Sequence, residues 1–93
     1  MPLSFEWDVR KAKSNLAKHG VSFAEASTVF SDPWSLTIPD PDHSQVEPRA
    51  IVLGRSHLRK LLVVVYTERG DNIRLISVRL AGRRERKTYE ETN

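Results

Sequence analysis

The chain has 93 residues, the size of one small domain with a single hydrophobic core. Hydrophobic residues make up 39% and charged residues 29%, which excludes a disordered tail, a collagen-like chain and a membrane-spanning segment. The net charge is +3. There is no cysteine, and its absence excludes disulfide frameworks and thiolate metal sites. We therefore expect a cytoplasmic protein with no membrane partner.

The first 20 residues predict a strand followed by a helix. Apolar and polar residues alternate over Leu3–Trp7, which is typical of a short, half-buried strand. Asp8 is a good N-cap for a helix over Arg10–His19, and Gly20 is the natural residue to end it. The apolar stripe that this helix is expected to bury is narrow and consists of Val9, Ala12, Leu16 and Ala17.

A second helix is predicted directly after the first. Ser22 and Glu25 have the spacing of a capping box, which contributes about 1 kcal/mol, and Asp32-Pro33 ends the helix. Its expected buried face consists of Phe23, Ala26, Val29 and Phe30. Residues 31–48 hold four of the five prolines and one short strand candidate, Ser35–Ile38. This stretch is therefore predicted to be a loop.

The second half predicts strands and a final helix. Strands are expected at Arg49–Leu53, Lys60–Thr67 and Ile73–Arg79, the last two forming an antiparallel hairpin. The polar segment Gly82–Glu91 has helical propensity. Because two helices precede the sheet, we predict a single α+β domain over residues 1–93. It consists of a short N-terminal strand and two helices packed on a small antiparallel sheet of three to four strands, with a C-terminal helix.

Charge is unevenly distributed along the chain. Residues 21–48 contain five acidic residues and no lysine or arginine, whereas residues 49–93 contain eleven basic residues, nine of them arginine. Arginine favours bidentate contacts with phosphate or carboxylate groups. The basic half therefore indicates an anionic partner, which is either a nucleic acid or an acidic protein. The alternative is a solvated surface with no partner.

The candidate catalytic residues cluster near the C-terminus. Arg79 ends the last predicted strand, and Arg86 and Tyr89 lie three residues apart, hence on one face of the final helix. Cleaving RNA without a metal ion needs cations on the phosphate oxygens, a base for the 2′-hydroxyl and an acid for the 5′-oxygen. Arginines can supply the cations, and the candidates for the base and the acid are Tyr89, Glu85, His19 and Glu47. The alternative is a solvated helix with ordinary ion pairs.

No metal or cofactor is expected. His19, His43 and His57 lack the spacing of zinc ligands. Asp40, Asp42 and His43 are capable of holding a hard cation, but a simple turn is the preferred interpretation of this proline-bounded loop. The four glycines stand apart from one another, so there is no glycine-rich phosphate loop.

The sequence resembles the BrnT toxin family over positions 5–89. The resemblance is carried by Phe5-Glu6-Trp7-Asp8, Lys18-His19-Gly20-Val21-Ser22-Phe23, Glu47-Pro48-Arg49, Ile73-Arg74-Leu75-Ile76-Ser77 with Arg79, and Glu85-Arg86 with Tyr89. No single motif is decisive, but the combination in this order is specific. It implies a ribonuclease toxin of a bacterial type II toxin–antitoxin system that arrests translation and has a fold similar to RelE.

The resemblance also implies partners and site residues. The partners are RNA and a BrnA-like ribbon-helix-helix antitoxin, whose complex with the toxin binds promoter DNA. We expect the free toxin to be a monomer and the complex a heterotetramer. Arg79 and Arg86 are expected to clamp the phosphate and the transition state, and Tyr89 to stack on a base or transfer a proton. His19 and Glu47 are further catalytic candidates, and the expected RNA-binding residues are Lys18, Arg49, Arg74 and Arg83. The alternative is a non-catalytic module that docks an antitoxin and modulates promoter binding.

Overall fold

The computed structural model describes residues 3–39 and 48–92. The elements within these ranges are strand β1 (Ser4–Glu6), helices α1 (Val9–His19) and α2 (Phe23–Ser27), a 3₁₀ turn (Thr28–Ser31), strands β2 (Leu36–Pro39), β3 (Ala50–Arg55), β4 (Leu61–Arg69) and β5 (Asn72–Leu80), and helix α3 (Arg83–Thr92). In these ranges no helix combines the length and apolar composition needed to cross a membrane.

The strands form one sheet in the order β1-β5-β4-β3-β2. The pairs β2–β3, β3–β4 and β4–β5 are antiparallel, whereas β1 lies parallel to β5, with Ser4 opposite Asn72. The predicted α+β class is confirmed, but the prediction of a three- to four-stranded antiparallel sheet is wrong. Within the described ranges the sheet is mixed and has five strands, because the three-residue β1 pairs with β5, near the other end of the chain.

Helix α1 begins and ends at the predicted caps but buries a different face. The Asp8 carboxylate accepts hydrogen bonds from the amides of Arg10 and Lys11, at 2.8 and 3.1 Å. Gly20 has a φ of 70° and its N–H donates to the Leu16 carbonyl, a left-handed ending that favours glycine. The predicted apolar stripe is wrong at Val9, Leu16 and Ala17, which are exposed. Only Ala12 of that stripe packs against the core.

The buried residue of α1 is Asn15, whose side chain is bonded to the backbone of β5. Its amide group donates to the carbonyls of Val78 and Val21, at 2.8 and 3.3 Å, and its oxygen accepts from the Val78 N–H at 3.1 Å. Val78 lies beyond the part of β5 that pairs with β1. The Asn15 amide therefore takes the place of a missing strand, since a buried backbone group without a partner is costly.

The main core lies between the sheet and the first two helices, on what we call the α1–α2 face. It combines strand residues with residues of α2 and its flanking turns, and its members include Val21, Phe23, Ala26, Val29, Val52, Leu62, Val64, Leu75 and Val78. The expected burial of Phe23, Ala26 and Val29 is therefore confirmed, and Phe30 is half-buried between Phe5 and Tyr66. The predicted helix is shorter than expected, since Val29 and Phe30 lie in the 3₁₀ turn after α2.

Only half of the predicted capping box forms in α2. The Ser22 hydroxyl accepts from the Glu25 amide at 3.0 Å, as predicted. The Glu25 carboxylate is instead buried, and it accepts a hydrogen bond from Ser56 at 2.7 Å and lies 3.8 Å from the Lys60 ammonium. This contact ties α2 to the segment between β3 and β4.

One irregularity in β5 decides which way its arginines point. Val65 pairs with Ser77 and Tyr66 pairs with Leu75, so Ile76 is an extra residue. Such a bulge shifts the alternation of side chains by one position. Leu75 and Val78 therefore share the α1–α2 face although they are three residues apart.

Candidate functional site

The other side of the sheet, which we call the α3 face, is only partly covered. A small cluster of Leu53, Leu61 and Val63 packs there against Tyr89 of α3. Side chains alternate along strands, so Arg79, which pairs with Val63, projects from this face.

A second strand arginine projects from the same face at the far end of the sheet. Arg74 pairs with Thr67, which lies four residues along β4 from Val63, the partner of Arg79. The two arginines are therefore separated by about 13 Å along the strands.

An open groove lies along one side of α3. Its volume is about 250 Å³, and its floor is apolar, built by Leu36, Ile38, Ile51, Leu53 and Val63. Arg79, Arg84, Glu85 and Thr88 form the rim next to α3. The groove thus offers apolar surface beside two guanidinium groups, and Ile38 is 55% exposed there.

Arg79 and Glu85 form a bidentate ion pair at this rim. The two guanidinium nitrogens lie 2.8 and 2.7 Å from the two carboxylate oxygens, and Glu85 also accepts from the Gly82 amide at 2.7 Å. The hydrogen bond from Arg79 lowers the pKa of Glu85, and the same bond raises the pKa of Arg79. Because both side chains are substantially exposed, the pair contributes at most about 1 kcal/mol. An incoming phosphate can therefore compete for Arg79.

Arg74 also pairs with a carboxylate, through a single bond, at the far end of the face. Its guanidinium lies 2.8 Å from the Glu6 carboxylate, and Asn72 donates to the same carboxylate at 3.2 Å. The Arg74 bond, followed by the Asn72 bond, lowers the pKa of Glu6. Arg74 and Arg79 therefore each have a carboxylate partner.

Tyr89 holds α3 onto the sheet. It is 7% exposed, its hydroxyl donates to Asp32 at 2.7 Å, and the Arg55 guanidinium lies 5.5 Å from its ring centroid. Burial, and then the bond to Asp32, raises the pKa of Tyr89. In this arrangement the ring packs inward, so stacking on an RNA base requires α3 to move.

Asp32 receives hydrogen bonds from three sides. The amides of Arg55 and Trp34 donate at 2.8 and 2.9 Å, in addition to Tyr89. Burial alone raises the pKa of Asp32, but these bonds outweigh it and the net pKa is lowered. Gly54 permits the close approach, since a Cβ there would lie 2.9 Å from the Val29 side chain and 3.1 Å from the Asp32 carboxylate.

The structure does not bring Arg86 to the groove beside Arg79. Arg86 follows Arg84 by two residues, which is about 200° around a helix, and only Arg84 lines the groove. Arg86 is exposed on the opposite flank of α3. The two predicted clamps are therefore on different sides of the helix.

The remaining predicted residues are dispersed. Lys18 and His19 end α1 on the opposite side of the sheet from α3, and Arg83 is the exposed first residue of α3. Arg49 precedes β3 and lines a pocket with Tyr66 and Thr67. Glu47 lies outside the described residues, as do Asp40, Asp42 and His43.

Sequence reasoning missed a second polar site at the end of the sheet, which we call the polar cleft. It is open, has a volume of about 470 Å³, and is lined by Thr28, Ser31, Asp32, Arg55, Ser56 and His57. The only signals in the sequence were the turn residues Asp32-Pro33 and the isolated Gly54. Residues 3–39 and 48–92 contain no group of three histidine or acidic side chains placed to hold a metal ion.

Comparison with known proteins relates the chain to one family. A family model described as the ribonuclease toxin BrnT of type II toxin–antitoxin systems matches residues 7–85. Among solved structures, the fold is similar to the Brucella abortus ribonuclease toxin BrnT, with a TM-score of 0.68 and 24% sequence identity over 88% of this chain and 100% of that chain. No curated protein sequence matches.

Proposed function

Since the chain belongs to the BrnT family of ribonuclease toxins of type II toxin–antitoxin systems, we propose that it cleaves RNA without a metal ion and holds the RNA on the α3 face. The observation that carries this proposal is the position of Arg79 and Arg84 at one groove, with Arg74 further along the same face. Cations spaced along an open sheet face suit a nucleic-acid backbone.

The apolar floor of the groove suits the bases of a single strand. Ile38, Ile51 and Val63 are part of this floor, and single-stranded RNA presents unstacked bases as well as phosphates. Phosphates bound at Arg79 and Arg74 would replace Glu85 and Glu6 as their partners. Both ion pairs are at least partly exposed and each costs little to break, so the free protein keeps these arginines in place without blocking RNA.

The test is cleavage of a mixed-sequence single-stranded RNA in EDTA by the purified toxin. We expect cleavage to persist and to leave a 2′,3′-cyclic phosphate or a 3′-phosphate. Arg79→Ala should lower kcat/KM by about 10- to 100-fold, because a hydrogen bond to a charged group contributes about 1.5–3 kcal/mol. Arg74→Ala should weaken RNA binding and reduce its dependence on salt concentration.

Arg10→Ala is the matched control, since it removes one exposed arginine from α1, on the other side of the sheet. It should leave kcat/KM unchanged. Loss of cleavage in EDTA that Mg²⁺ restores would contradict metal independence. Equal rates for Arg79→Ala and wild type would place the RNA elsewhere on the molecule.

We further propose that a cognate BrnA-like antitoxin neutralises the toxin by covering the α3 face. An apolar groove rimmed by Arg79 and Arg84 suits a protein segment with apolar and acidic side chains. The antitoxin's ribbon-helix-helix dimer would then join two toxins into a heterotetramer that binds promoter DNA. Light scattering of the purified complex should give the mass of two toxins and two antitoxins, and a one-to-one pair would contradict it.

The alternative is a non-catalytic module that only docks the antitoxin. The pairing of Arg79 with Glu85 and the burial of Tyr89 favour it, because neither side chain is free in this structure. Induction of the toxin alone separates the two functions. A ribonuclease should arrest translation and growth, Arg79→Ala should relieve the arrest while still binding antitoxin, and a docking module should cause no arrest.

A further inference from the structure

We propose that His57, in the polar cleft, is the base that takes the proton from the 2′-hydroxyl of the RNA, and that Thr28 positions it. This inference rests on the proposed ribonuclease activity. It supplies a base on an exposed side chain, whereas the predicted candidates Glu85 and Tyr89 are bonded to Arg79 and Asp32. It depends on the hydrogen bonds around one hydroxyl group, on the rigidity of the turn that carries His57, and on Arg55 in the same cleft.

The hydrogen bonds of Thr28 assign the proton on the imidazole of His57. The Thr28 hydroxyl donates its single proton to the Glu25 carbonyl at 2.6 Å. Its oxygen accepts from the His57 amide at 2.9 Å and lies 3.3 Å from His57 Nδ1. Since the hydroxyl proton is already used, Nδ1 must carry the proton of this contact. The lone pair of the neutral ring is therefore on Nε2, which has no bonded partner among the described residues.

The segment that carries His57 is held firmly. The Ser56 hydroxyl donates to the Glu25 carboxylate at 2.7 Å and accepts from the amides of Leu58 and Lys60, at 3.2 and 3.3 Å. The backbone of Ser56 is bonded to Lys60 and to Arg59, and Arg59 has a φ of 65°. A non-glycine residue keeps such a backbone only where its surroundings impose it. His57 is thus exposed at its ring but anchored at its backbone, as a catalytic group should be.

Arg55 provides a phosphate ligand in the same cleft. Its guanidinium lies over Tyr89 and donates to the Arg59 carbonyl at 3.2 Å, which leaves other N–H groups for an anion. The neighbouring Asp32 carboxylate faces the amides of Arg55 and Trp34 and the hydroxyl of Tyr89. Because Arg55 projects from β3 on the α3 face, the cleft continues the surface proposed to bind RNA.

The proton transfer completes an ordinary transphosphorylation. The 2′-oxygen forms a bond to the adjacent phosphorus as its proton passes to His57 Nε2, and the bond from phosphorus to the 5′-oxygen breaks. The 5′-oxygen takes a proton from water, and the imidazolium later returns its proton to the hydroxide so formed. The products are a 2′,3′-cyclic phosphate and a 5′-hydroxyl end.

The experiment compares single-turnover cleavage of a mixed-sequence RNA by wild type and His57→Gln. We expect the variant to cleave about 100-fold more slowly or worse, the usual contribution of a proton-transfer group. Its affinity for a 2′-O-methyl RNA, which cannot be cleaved, should be unchanged, unlike that of Arg74→Ala. Leu58→Gln is the matched control, since Leu58 is 57% exposed in the same turn, and it should keep the wild-type rate.

Thr28 variants test the positioning role separately. Thr28→Val should slow cleavage and Thr28→Ser should restore it, because serine keeps the hydroxyl, whereas a purely packing role would favour valine. Thermal unfolding of each variant shows whether it is folded. A His57→Gln variant that cleaves as fast as wild type would overturn this inference and leave the proposed function intact. Failure of the wild type to cleave RNA would instead overturn the proposed function.

Discussion

The α1–α2 face and the α3 face come from the same five strands, yet they are built from different chemistry. On the α1–α2 face, Leu62 and Val64 are fully buried, and the polar Asn15 is bonded to backbone. On the α3 face, one helix is held by Tyr89 and by the exposed pair of Arg79 and Glu85. The comparison teaches that the buried core lies mainly on one face, while the proposed RNA-binding surface is the other, so substitutions should separate stability from activity.

The largest expected loss of stability is from Leu62→Ala on the α1–α2 face. Leu62 is fully buried in β4, and such a truncation lowers the free energy of unfolding by about 2–5 kcal/mol. Val65→Ala, on the half-buried α3 face of the same strand, should cost clearly less. Urea unfolding followed by tryptophan fluorescence measures both, and equal losses would contradict the division between the faces.

Asn15→Ala should cost about 2–3 kcal/mol, because it leaves the buried N–H and C=O of Val78 without partners. The effect would be that of a core residue although the side chain is polar. Ser14→Ala, at an exposed position of the same helix, is the control and should change little. If Asn15→Ala unfolded at the same urea concentration as the control, the contribution of Asn15 to the stability of the α1–α2 face would be contradicted.

Tyr89→Phe should have a smaller effect, about 1 kcal/mol, since it removes the hydroxyl that bonds Asp32 while Asp32 keeps its two amide donors. The ring still fills its place beside Leu61. In hydrogen exchange, the amides of α3 should exchange faster in Tyr89→Phe than in wild type. The amides of α1 should be unchanged, because α1 does not depend on this bond. Faster exchange throughout the molecule would mean that α3 is as integral to the core as the first two helices.

The smallest effect is the pH dependence that Glu85 contributes. Its pKa is lowered in the folded protein, first by the Arg79 bond. Its stabilisation is therefore present above its ordinary pKa of 4.5 and is lost as the pH falls through the folded value. Glu85→Gln should lower stability slightly at pH 7, and the difference from wild type should disappear at strongly acidic pH. A difference that grows on acidification would contradict this sign.

The fold was predictable where neighbouring residues decide it. Asp8 and Gly20 bound α1 because a cap acts on amides and carbonyls within one helical turn. The alternation in β4 and the turn after it predicted the hairpin with β5, because these signals also come from residues close together in the sequence. The buried side of α1 was predicted wrongly, because Asn15 is buried by its hydrogen bonds to the backbone of Val78, which is distant in the sequence.

The candidate site was predictable only in part. Arg74 and Arg79 were correctly placed on a strand and Arg83 and Arg86 on the final helix, whereas Arg49 lies just before β3. Arg79 and Arg74 do share a face. The pairing of Arg79 with Glu85, the inward packing of Tyr89 and the position of Arg86 on the opposite flank of α3 were not foreseen. They depend on how α3 rotates as it packs on the sheet, which intrahelical spacing leaves open.

By itself, the sequence determined the class of the fold, most of the element boundaries, the family and the concentration of arginine in the second half. Local hydrogen bonds, side-chain alternation and composition act within a few residues, so they can be read along the chain. Tertiary structure alone decided that β1 lies parallel to β5, that Asn15 replaces a strand, and that Thr28 meets His57. These contacts join residues far apart in sequence, and they form because packing two layers leaves particular backbone and side-chain groups needing partners.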